Sequence, residues 1–443
     1  MDKANNMENN KPSNCAFTIV AKNYIGLAKV LEDSIKEKNP DVDFYIFVAD
    51  EIPEDNSLDI PSNIIESKMT LFYTDDRWKD MTFKYNLTEF CTSIKPRCFQ
   101  YLFKRNYKKA IYFDPDIYVF NSLLPIYKIL EEYSICVTPH SLFPNSEDAT
   151  DIPYLQSGPY NLGFLGLNNN EISSKLLNWW DARLIDNCFD ELFEYTFTDQ
   201  KWMLLIHSYF PQSEIYVSRN LGMNVAPWNF KERKIIENEL GFSVEYRQDE
   251  SIKDDLVFIH YSGYDYKALL AGEEIRPRVS KEDVDYNDIK IVMDFYVRAL
   301  KEHENDMLKY ITLPYSYATF NNGVRIEKFH RRLYHRLNHI DSKRFTDPFS
   351  VKKGSLYEVI KKKKLYQRKQ EGQNIDGGNG GNTTRLLVLF NNLMKQVCRV
   401  IGYHRYLMLL RLLKHFSRYE SQVFLLDKKY NGISLEIPEK QTM

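Results

Sequence analysis

Two aspartates stand close together in the segment Asp114-Pro115-Asp116, between two apolar runs at 110–113 (AIYF) and 117–120 (IYVF). Two carboxylates at the end of a strand can face one side and hold a hard divalent cation together with waters and phosphate oxygens. The same Asp-x-Asp spacing occurs at 41–43 and 283–285, where apolar strands do not stand on both sides. The strand context favours a metal site at Asp114 and Asp116, whereas the spacing alone leaves a plain Asp-Pro turn open.

Strand and helix patterns alternate through the first third of the chain, and these elements must position the two aspartates. Strands separated by helices predict βαβ units and an α/β fold with a mostly parallel sheet. Such sheets bind ligands beyond the carboxyl ends of their strands. The predicted strands cover 17–21, 44–48, 110–113 and 135–137, and the predicted helices cover 26–38, 96–105 and 123–132.

The rest of the chain is mixed and then helical. Strand patterns at 162–167 and 256–260 enclose helical patterns at 173–185 and 200–209. Long charged helices follow from about residue 281, and the run GGNGGN at 377–382 is typical of a flexible break. We predict a disordered tail at 1–14, an α/β domain at 15–270, a helical extension at 271–370, a flexible linker at 371–384 and a basic amphipathic helical tail at 385–443.

The composition is that of an ordinary soluble globular protein, with 43% hydrophobic and 27% charged residues among 443. This balance excludes collagen, coiled coil and wholesale disorder. The six cysteines include no CxxC pair, so no zinc or disulfide framework is visible. The first 14 residues lack the apolar run of a secretory signal, and the apolar run at 386–394 is shorter than the roughly 20 residues of a membrane span. We predict a cytoplasmic protein.

Five segments together resemble the nucleotide-sugar glycosyltransferases of the GT-A fold. IYFDPDIYVF is similar to their DxD segment, QSGPYNLGF at 156–164 to their asparagine–small–glycine strand, and TDQKW at 198–202 to their Asp-Gln helix start. NVAPWN at 224–229 resembles their NVA-W-N loop, and HYSG at 260–263 resembles their terminal His-x-x-Gly. The order of the segments is similar to that of glycosyltransferase family 8 and its bacterial cousins. The resemblance implies a Rossmann-like GT-A core at 15–270 with a C-terminal helical extension.

The resemblance implies a metal site formed by Asp114, Asp116 and His260. The expected cofactor is a divalent cation, Mn²⁺ with Mg²⁺ as the alternative, which would stabilise a departing diphosphate as a Lewis acid. His260, at the end of a late strand, would complete the shell through a neutral imidazole nitrogen, or else be a satisfied buried histidine. Lys95 matches a basic contact to the donor phosphates, although an ordinary surface lysine at a helix start explains it as well.

The resemblance also assigns a donor site. The loop after the first strand meets the nucleotide base in relatives, and here Tyr24 can stack on a pyrimidine while Asn23 reads its edge. We expect a UDP-sugar, although the loop departs from the family pattern and leaves the base open. The loop has no glycine-rich phosphate cradle, which disfavours Rossmann dinucleotide and P-loop enzymes. The donor-binding residues that the resemblance implies are Ala21, Asn23, Tyr24, Lys95, Asn161, Gly163 and Gly263.

Asp199 and Gln200 are the candidate catalytic residues. In retaining relatives the matching glutamine faces the anomeric carbon, whereas inverting GT-A enzymes place a carboxylate there as general base. The resemblance favours Gln200 and retention of configuration, and the pair also suits the N-cap of a helix. Trp228 and Trp202 are candidate acceptor platforms, although core positions would explain both.

The C-terminal part carries most of the positive charge. Residues 331–420 contain 20 lysines and arginines against 6 aspartates and glutamates, although the whole chain has a net charge of −2. Apolar residues recur at helical spacing through 385–418, with basic residues between them. Such a helix can lie on an anionic membrane surface, here the inner face of the membrane, or dock on the acidic body of the protein. No nucleic-acid-binding module accompanies the charge, so nucleic acid is not an expected partner.

The sequence therefore predicts an enzyme, a metal-dependent glycosyltransferase of hexosyltransferase type. It would move a sugar from a nucleotide-diphosphate donor to a glycan or lipid-linked acceptor in surface polysaccharide synthesis. Two other functions stay open. A nucleotidyltransferase on sugar phosphates shares the α/β core, but it needs a glycine-rich basic loop where this chain has 21–24. A non-catalytic, membrane-associated scaffold that uses the basic tail is the second.

Overall fold

The computed structural model describes residues 13–52, 60–144, 151–191, 195–239, 241–273, 287–341, 344–366 and 380–431. Within these ranges, the residues up to 81 together with 87–316 form one compact unit, and 82–86 together with the residues from 317 onward form another. Residues 1–12 of the predicted tail, 274–286 and 367–370 of the predicted extension and 371–379 of the predicted linker lie outside the described residues.

The first unit alternates strands and helices, as the sequence predicts. Its strands are β1 (Asn14–Val20), β2 (Asp43–Val48), β3 (Ile64–Glu66), β4 (Lys109–Phe113), β5 (Ile117–Val119), β6 (Ile135–Pro139), β7 (Tyr160–Asn168), β8 (Asp190–Glu191), β9 (Thr196–Phe197), β10 (Ile215–Val217), β11 (Arg233–Asn238), β12 (Gly241–Tyr246), β13 (Asp249–Asp255) and β14 (Phe258–His260). Its helices are α1 (Ile25–Lys38), α2 (Ser67–Thr70), α3 (Asp75–Lys84), α4 (Leu87–Ser93), α5 (Lys95–Lys104), α6 (Leu124–Glu132), α7 (Ile152–Ser157), α8 (Glu171–Asn187), α9 (Ile206–Tyr209), α10 (Tyr266–Leu270), α11 (Asn287–Glu302) and α12 (Glu304–Ile311), of which α3 extends past residue 81 into the second unit.

Seven of these strands form a central sheet in the order β10-β6-β7-β4-β1-β2-β3. The pairs β1–β2, β1–β4, β2–β3 and β10–β6 are parallel, whereas β7 runs antiparallel to both β4 and β6. The inner strands are buried along their length, which explains their continuous apolar runs in the sequence. The predicted α/β fold with a mostly parallel sheet is confirmed.

A short antiparallel pair of strands, β5 and β14, lies beside the central sheet. β5 follows β4 after a two-carboxylate turn, and it pairs with β14 so that Ile117 lies opposite His260. A chain segment from near residue 115 and one from near residue 260 thus meet at the carboxyl end of β4. A separate three-stranded antiparallel sheet, β11-β12-β13, lies elsewhere in the unit.

The second unit is helical, with α13 (Lys328–Ile340), α14 (Leu356–Lys362), α15 (Gly380–Ile401) and α16 (Tyr403–Phe416). The segment Thr82–Asn86 belongs to this unit. Arg331 of α13 is 4% exposed, and its Nη1 donates to the backbone carbonyls of Thr82, Phe83 and Tyr85 at 2.7–3.0 Å. A buried guanidinium needs such acceptors, because an unpaired charge in the interior is costly.

The predicted C-terminal helices are confirmed, and their bounds add detail. α15 begins at Gly380, inside the segment that we predict as a linker, and Gly402 with a φ of +81° separates it from α16. A left-handed residue is a position that glycine adopts without steric cost. Among the described helices, none is both long enough and apolar enough to cross a membrane.

Candidate active site

The two aspartates occupy the turn between β4 and β5. The amide of Ile117 donates to the carbonyl of Asp114 at 3.1 Å, which closes the turn, and the amide of Asp114 donates to the carbonyl of Gly163 at 2.8 Å. The hydroxyl of Tyr112 donates to Oδ1 of Asp114 at 2.5 Å. The side chains of both aspartates stay 30% exposed, so they can meet a ligand from solvent.

His260 stands opposite the two carboxylates at the end of β14. Its Nε2 lies 3.0 Å from Oδ1 of Asp116 and 3.7 Å from Oδ2 of Asp114. One ligand atom from each of the three side chains lies within 4.8 Å of the others. Two carboxylate oxygens and one imidazole nitrogen suit a Mn²⁺ or Mg²⁺ ion, with water and ligand oxygens to complete the shell. The predicted metal triad is therefore brought together in space.

The charges of the three side chains also change one another's pKa values. Desolvation in the partly buried turn raises the pKa of Asp114, against the opposing effects of Lys95 and His260. Desolvation would raise the pKa of Asp116 as well, but the charge and hydrogen bond of His260 outweigh it, and the pKa is lowered. Desolvation would lower the pKa of His260, but attraction to the two aspartates raises it instead.

Asn161 of β7 connects the metal triad to the candidate catalytic glutamine. Its Oδ1 lies 3.3 Å from Nδ1 of His260 and accepts from the amide of Gly163 at 3.0 Å. Its Nδ2 donates to Oε1 of Gln200 at 3.4 Å, and Nδ2 of Asn224 donates to its Oδ1 at 3.2 Å. The side chain of Asn161 is 8% exposed, so the network is buried and its partners are fixed.

Gly163 is a position where a side chain would collide with the network. A Cβ built there would lie 2.5 Å from Cε1 and 2.6 Å from Nδ1 of His260, and 2.8 Å from Oδ1 of Asn161. Ordinary van der Waals contacts of a Cβ lie at 3.4–4 Å. The absence of a side chain at this position therefore lets the imidazole approach the strand.

Lys95 and Asp199 form a buried ion pair in the interior of the first unit. Lys95 is 1% exposed, its Nζ lies 2.6 Å from Oδ2 of Asp199, and it donates to the carbonyl of Leu162 at 2.9 Å. The same ammonium lies 3.9 Å from the centre of the Tyr112 ring. Lys95 is thus not an ordinary surface lysine, and Asp199 is neutralised by it within the protein.

Gln200 begins a 3-10 helix (Gln200–Leu205) that α9 continues, where the sequence predicts one α-helix. Its Nε2 donates to the carbonyl of Ser157 at 2.9 Å, and its Oε1 accepts from the amide of Leu162 at 3.1 Å. Asp199 occupies the N-cap position, but its side chain makes no capping hydrogen bond. The amide of Gln200 is therefore held rigidly between α7 and β7.

A cavity of about 670 Å³ opens at Asp114 and Asp116. Of the residues predicted to bind the donor, Ala21, Tyr24 and Gly263 line it, whereas Asn23, Lys95, Asn161 and Gly163 do not. Several further residues that no sequence pattern indicates also line the cavity; they are Leu87, Thr88, Cys91 and Thr92 of α4 and Tyr264, Tyr266, Lys267 and Tyr296. Lys267 is the one lysine or arginine among the described residues that line the cavity.

The two tryptophans differ in their relation to the site. The ring of Trp228 packs edge-on against the rings of His260 at 5.3 Å and His140 at 5.5 Å, directly behind the metal triad. Trp202 instead lies beside Trp179, with ring centres 6.4 Å apart, and donates to the carbonyl of Asn187 at 3.1 Å. Neither tryptophan lines the described cavity, so what sets Trp228 apart is its contact with His260.

Comparison with known sequences gives distant relatives. No protein-family profile matches this chain. Two proteins of Bacillus subtilis (strain 168), the uncharacterised YfnF and YfnD, are each 21% identical to it. The alignment with YfnF spans 56% of this chain and 80% of the relative, and the alignment with YfnD spans 56% and 76%.

Several solved structures are similar to this chain, and the following three are glycosyltransferases, the class that the sequence predicts. Galactosyltransferase LgtC, solved with donor and acceptor sugar analogues, is 17% identical with a TM-score of 0.35, over 68% of this chain and 97% of LgtC. Glycosyltransferase GlyE of Streptococcus pneumoniae TIGR4 is 14% identical with a TM-score of 0.36, over 69% and 66%. Mouse xyloside xylosyltransferase 1 is 10% identical with a TM-score of 0.33, over 56% and 97%. Likenesses at this level concern the fold alone and carry no functional argument.

Proposed function

We propose that this protein is a metal-dependent glycosyltransferase that moves a sugar from a nucleotide-diphosphate donor to an acceptor hydroxyl. The observation that supports it is the convergence of Asp114, Asp116 and His260, from two distant segments, beside a cavity of about 670 Å³ that the two aspartates line. A metal triad beside a cavity of this size suits a ligand that combines phosphates with rings, because such pockets are mostly apolar with a few placed polar groups.

Asp114, Asp116 and His260 would hold the divalent cation, with Mn²⁺ expected and Mg²⁺ as the alternative. A bound cation supplies Lewis-acid stabilisation of the negative charge that develops on a departing diphosphate. Without it, two neighbouring carboxylates would repel the phosphates. Lys267 adds a protein cation on the wall of the same cavity, and we assign to it a contact with the donor phosphates.

Two tyrosines that line the cavity support the binding of a nucleotide base. Tyr24 packs edge-on against Tyr266 with ring centres 5.2 Å apart, and both rings line the cavity. A base can stack on such rings, and UDP is the nucleotide that we propose. Asn23 does not line the cavity, and its contact with the base stays a prediction.

The environment of Asp199 supports retention of configuration. A general base must be free to accept a proton from the acceptor, but this carboxylate is 2% exposed and paired with the buried ammonium of Lys95. Gln200 is held by two hydrogen bonds and connected to the metal triad through Asn161. We propose that the side chain of Gln200 faces the reacting sugar. The neighbouring ion pair of Asp199 and Lys95 would hold Gln200 in position.

We propose a glycan or lipid-linked acceptor in the synthesis of a surface polysaccharide, made in the cytoplasm. Trp228 is the acceptor residue that the geometry favours, because its ring lies against His260. Trp202, which lies against Trp179, is the weaker assignment.

The test measures UDP release from a panel of UDP-sugars with and without Mn²⁺, in the wild type, in Asp116→Ala and in Asp41→Ala. Asp41 lies on the surface in another Asp-x-Asp tripeptide and serves as the matched control. We expect Mn²⁺-dependent release in the wild type and the control, and at least a hundredfold loss in Asp116→Ala. Equal rates in all three proteins, or no release from any sugar nucleotide, would refute the proposal. Release of pyrophosphate from a nucleoside triphosphate and a sugar phosphate would instead identify a nucleotidyltransferase.

A further inference from the structure

The helices α15 and α16 expose an unusual number of large apolar side chains. On α15, Leu389 is 66%, Leu393 59% and Val400 83% exposed on one face of the helix, and Val388 and Phe390, each 54% exposed, lie to either side of that face. On α16 the exposed apolar residues are not restricted to one face; they are Tyr403, Met408, Leu410, Leu412 and Leu413. A helix that is apolar on most of its sides is normally covered, so some surface covers these helices in use.

The charge of the same helices indicates the nature of that surface. Residues 380–419 contain seven lysines and arginines and no aspartate or glutamate. Lys395, Arg399, Arg405, Arg411 and Lys414 alternate with the exposed apolar residues along both helices. A surface that covers these two helices must offer negative charge for the basic side chains and an apolar layer for the leucines. An anionic lipid bilayer has both.

We propose that α15 and α16 together form a binding site for an anionic bilayer and lie in the plane of its interface. The apolar side chains would enter the boundary between headgroups and acyl chains, while the cations would contact phosphate groups. A groove on a protein would have to supply negative charge along its whole length, whereas an anionic bilayer offers both negative charge and an apolar interior over the entire exposed area of the two helices. The bilayer is therefore the occupant that the mixture of exposed apolar and basic residues favours.

The basic residues of the two helices should contribute a measurable share of the affinity for anionic vesicles. Each lysine or arginine near an anionic surface strengthens binding by about fivefold, and salt weakens this effect within a Debye length. Reversing three of the described cations should therefore weaken binding to anionic vesicles by more than a hundredfold. The same change should alter binding to neutral vesicles far less.

The experiment uses the full chain in co-sedimentation with vesicles of phosphatidylcholine, with or without 30% phosphatidylglycerol, at low and high salt. One variant combines Leu389→Ser, Leu393→Ser and Leu412→Ser, and a second combines Lys395→Glu, Arg399→Glu and Arg411→Glu. The control combines Met69→Ser and Leu155→Ser, two exposed apolar residues of the other unit, each 74% exposed. All the substituted residues are exposed, so thermal unfolding should stay unchanged and report intact folding.

We expect the wild type and the control to bind the anionic vesicles at low salt. The leucine variant should lose at least tenfold in affinity, and the charge-reversal variant more than a hundredfold. Binding that is equal in all four proteins, or absent in the wild type, would overturn the proposal. A dimer in sedimentation velocity that the helix variants dissolve, without vesicle binding, would assign these helices to a second copy of the chain and also overturn it. Vesicle binding is measured without sugar nucleotide, so its failure leaves the proposed transfer reaction standing.

Discussion

Replacing Gly163 by alanine tests the geometry of the metal triad without removing any ligand. The new Cβ would lie 2.5 Å from Cε1 of His260, whereas an ordinary contact needs at least 3.4 Å. The imidazole must therefore move by about 0.9 Å, or β7 must shift away from it. Asn161, whose Oδ1 would lie 2.8 Å from the same Cβ, blocks the other direction.

The size of the effect follows from these distances. Metal sites tolerate ligand displacements of roughly 0.2 Å, and disturbing the residues that orient a ligand typically costs 10- to 100-fold in affinity. We expect Gly163→Ala to weaken Mn²⁺ binding by about 10- to 100-fold, which corresponds to about 1.4–2.7 kcal/mol. Overpacking of the strand should lower the free energy of unfolding by about 1–3 kcal/mol.

Isothermal titration of Mn²⁺ and urea unfolding measure the two effects separately. Gly166→Ala on the same strand is the matched control, because its Cβ would meet the flexible Cδ1 of Leu130 at 3.2 Å and no triad residue. We expect the control to keep its Mn²⁺ affinity. An unchanged Mn²⁺ affinity in Gly163→Ala, in a folded protein, would refute the placement of His260 in the metal shell.

Three further outcomes are expected. Lys95→Met should lower the free energy of unfolding by about 3–5 kcal/mol in urea, because it leaves the buried carboxylate of Asp199 unpaired. Desolvation lowers the pKa of His140 from 6.5 to about 4, so the unfolded chain binds the extra proton between these values and stability falls as the pH drops through this window. This loss amounts to about 3 kcal/mol, and His140→Phe should remove it from the pH profile of unfolding. Lys267→Met should weaken UDP binding about tenfold in calorimetry without changing Mn²⁺ affinity.

Each of these outcomes has a control or a contrary result. The double variant Lys95→Met/Asp199→Leu should regain part of the lost stability, and an equal loss in both would show that the charge is not the cause. The other buried histidines are unchanged in His140→Phe and contribute equally to both proteins. If the free energy of unfolding depends on pH in the same way in the wild type and in His140→Phe, His140 is not the cause of the loss at low pH. A parallel loss of Mn²⁺ and UDP affinity in Lys267→Met would place this lysine at the metal instead of the phosphates.

Continuous apolar runs made the central sheet predictable. The predicted strands at 44–48 and 110–113 correspond to Asp43–Val48 and Lys109–Phe113, because strands buried on both faces have no polar interruptions. The turn between β4 and β5 was predictable for the same reason, since its two aspartates interrupt one such run. The metal triad therefore follows from the pattern of the strands together with the family resemblance.

Residues that meet only through the fold were not predictable. The pairing of Lys95 with Asp199 joins distant parts of the chain, and no spacing in the sequence indicates it. The helix Leu87–Ser93 is short and rich in threonine and serine, which have weak helix propensity, yet it forms one wall of the cavity. Its position depends on tertiary packing, which overrides local preference.

The buried arginine of α13 has a consequence for how the protein is made. The carbonyls of Thr82, Phe83 and Tyr85 receive their hydrogen bonds from Arg331, which the ribosome adds some 250 residues later. During synthesis water must satisfy these carbonyl groups until Arg331 has emerged, so the segment cannot reach its buried position before then. Expression of the first 316 residues alone should therefore give a poorly soluble fragment, so a shortened version for crystallisation should retain α13.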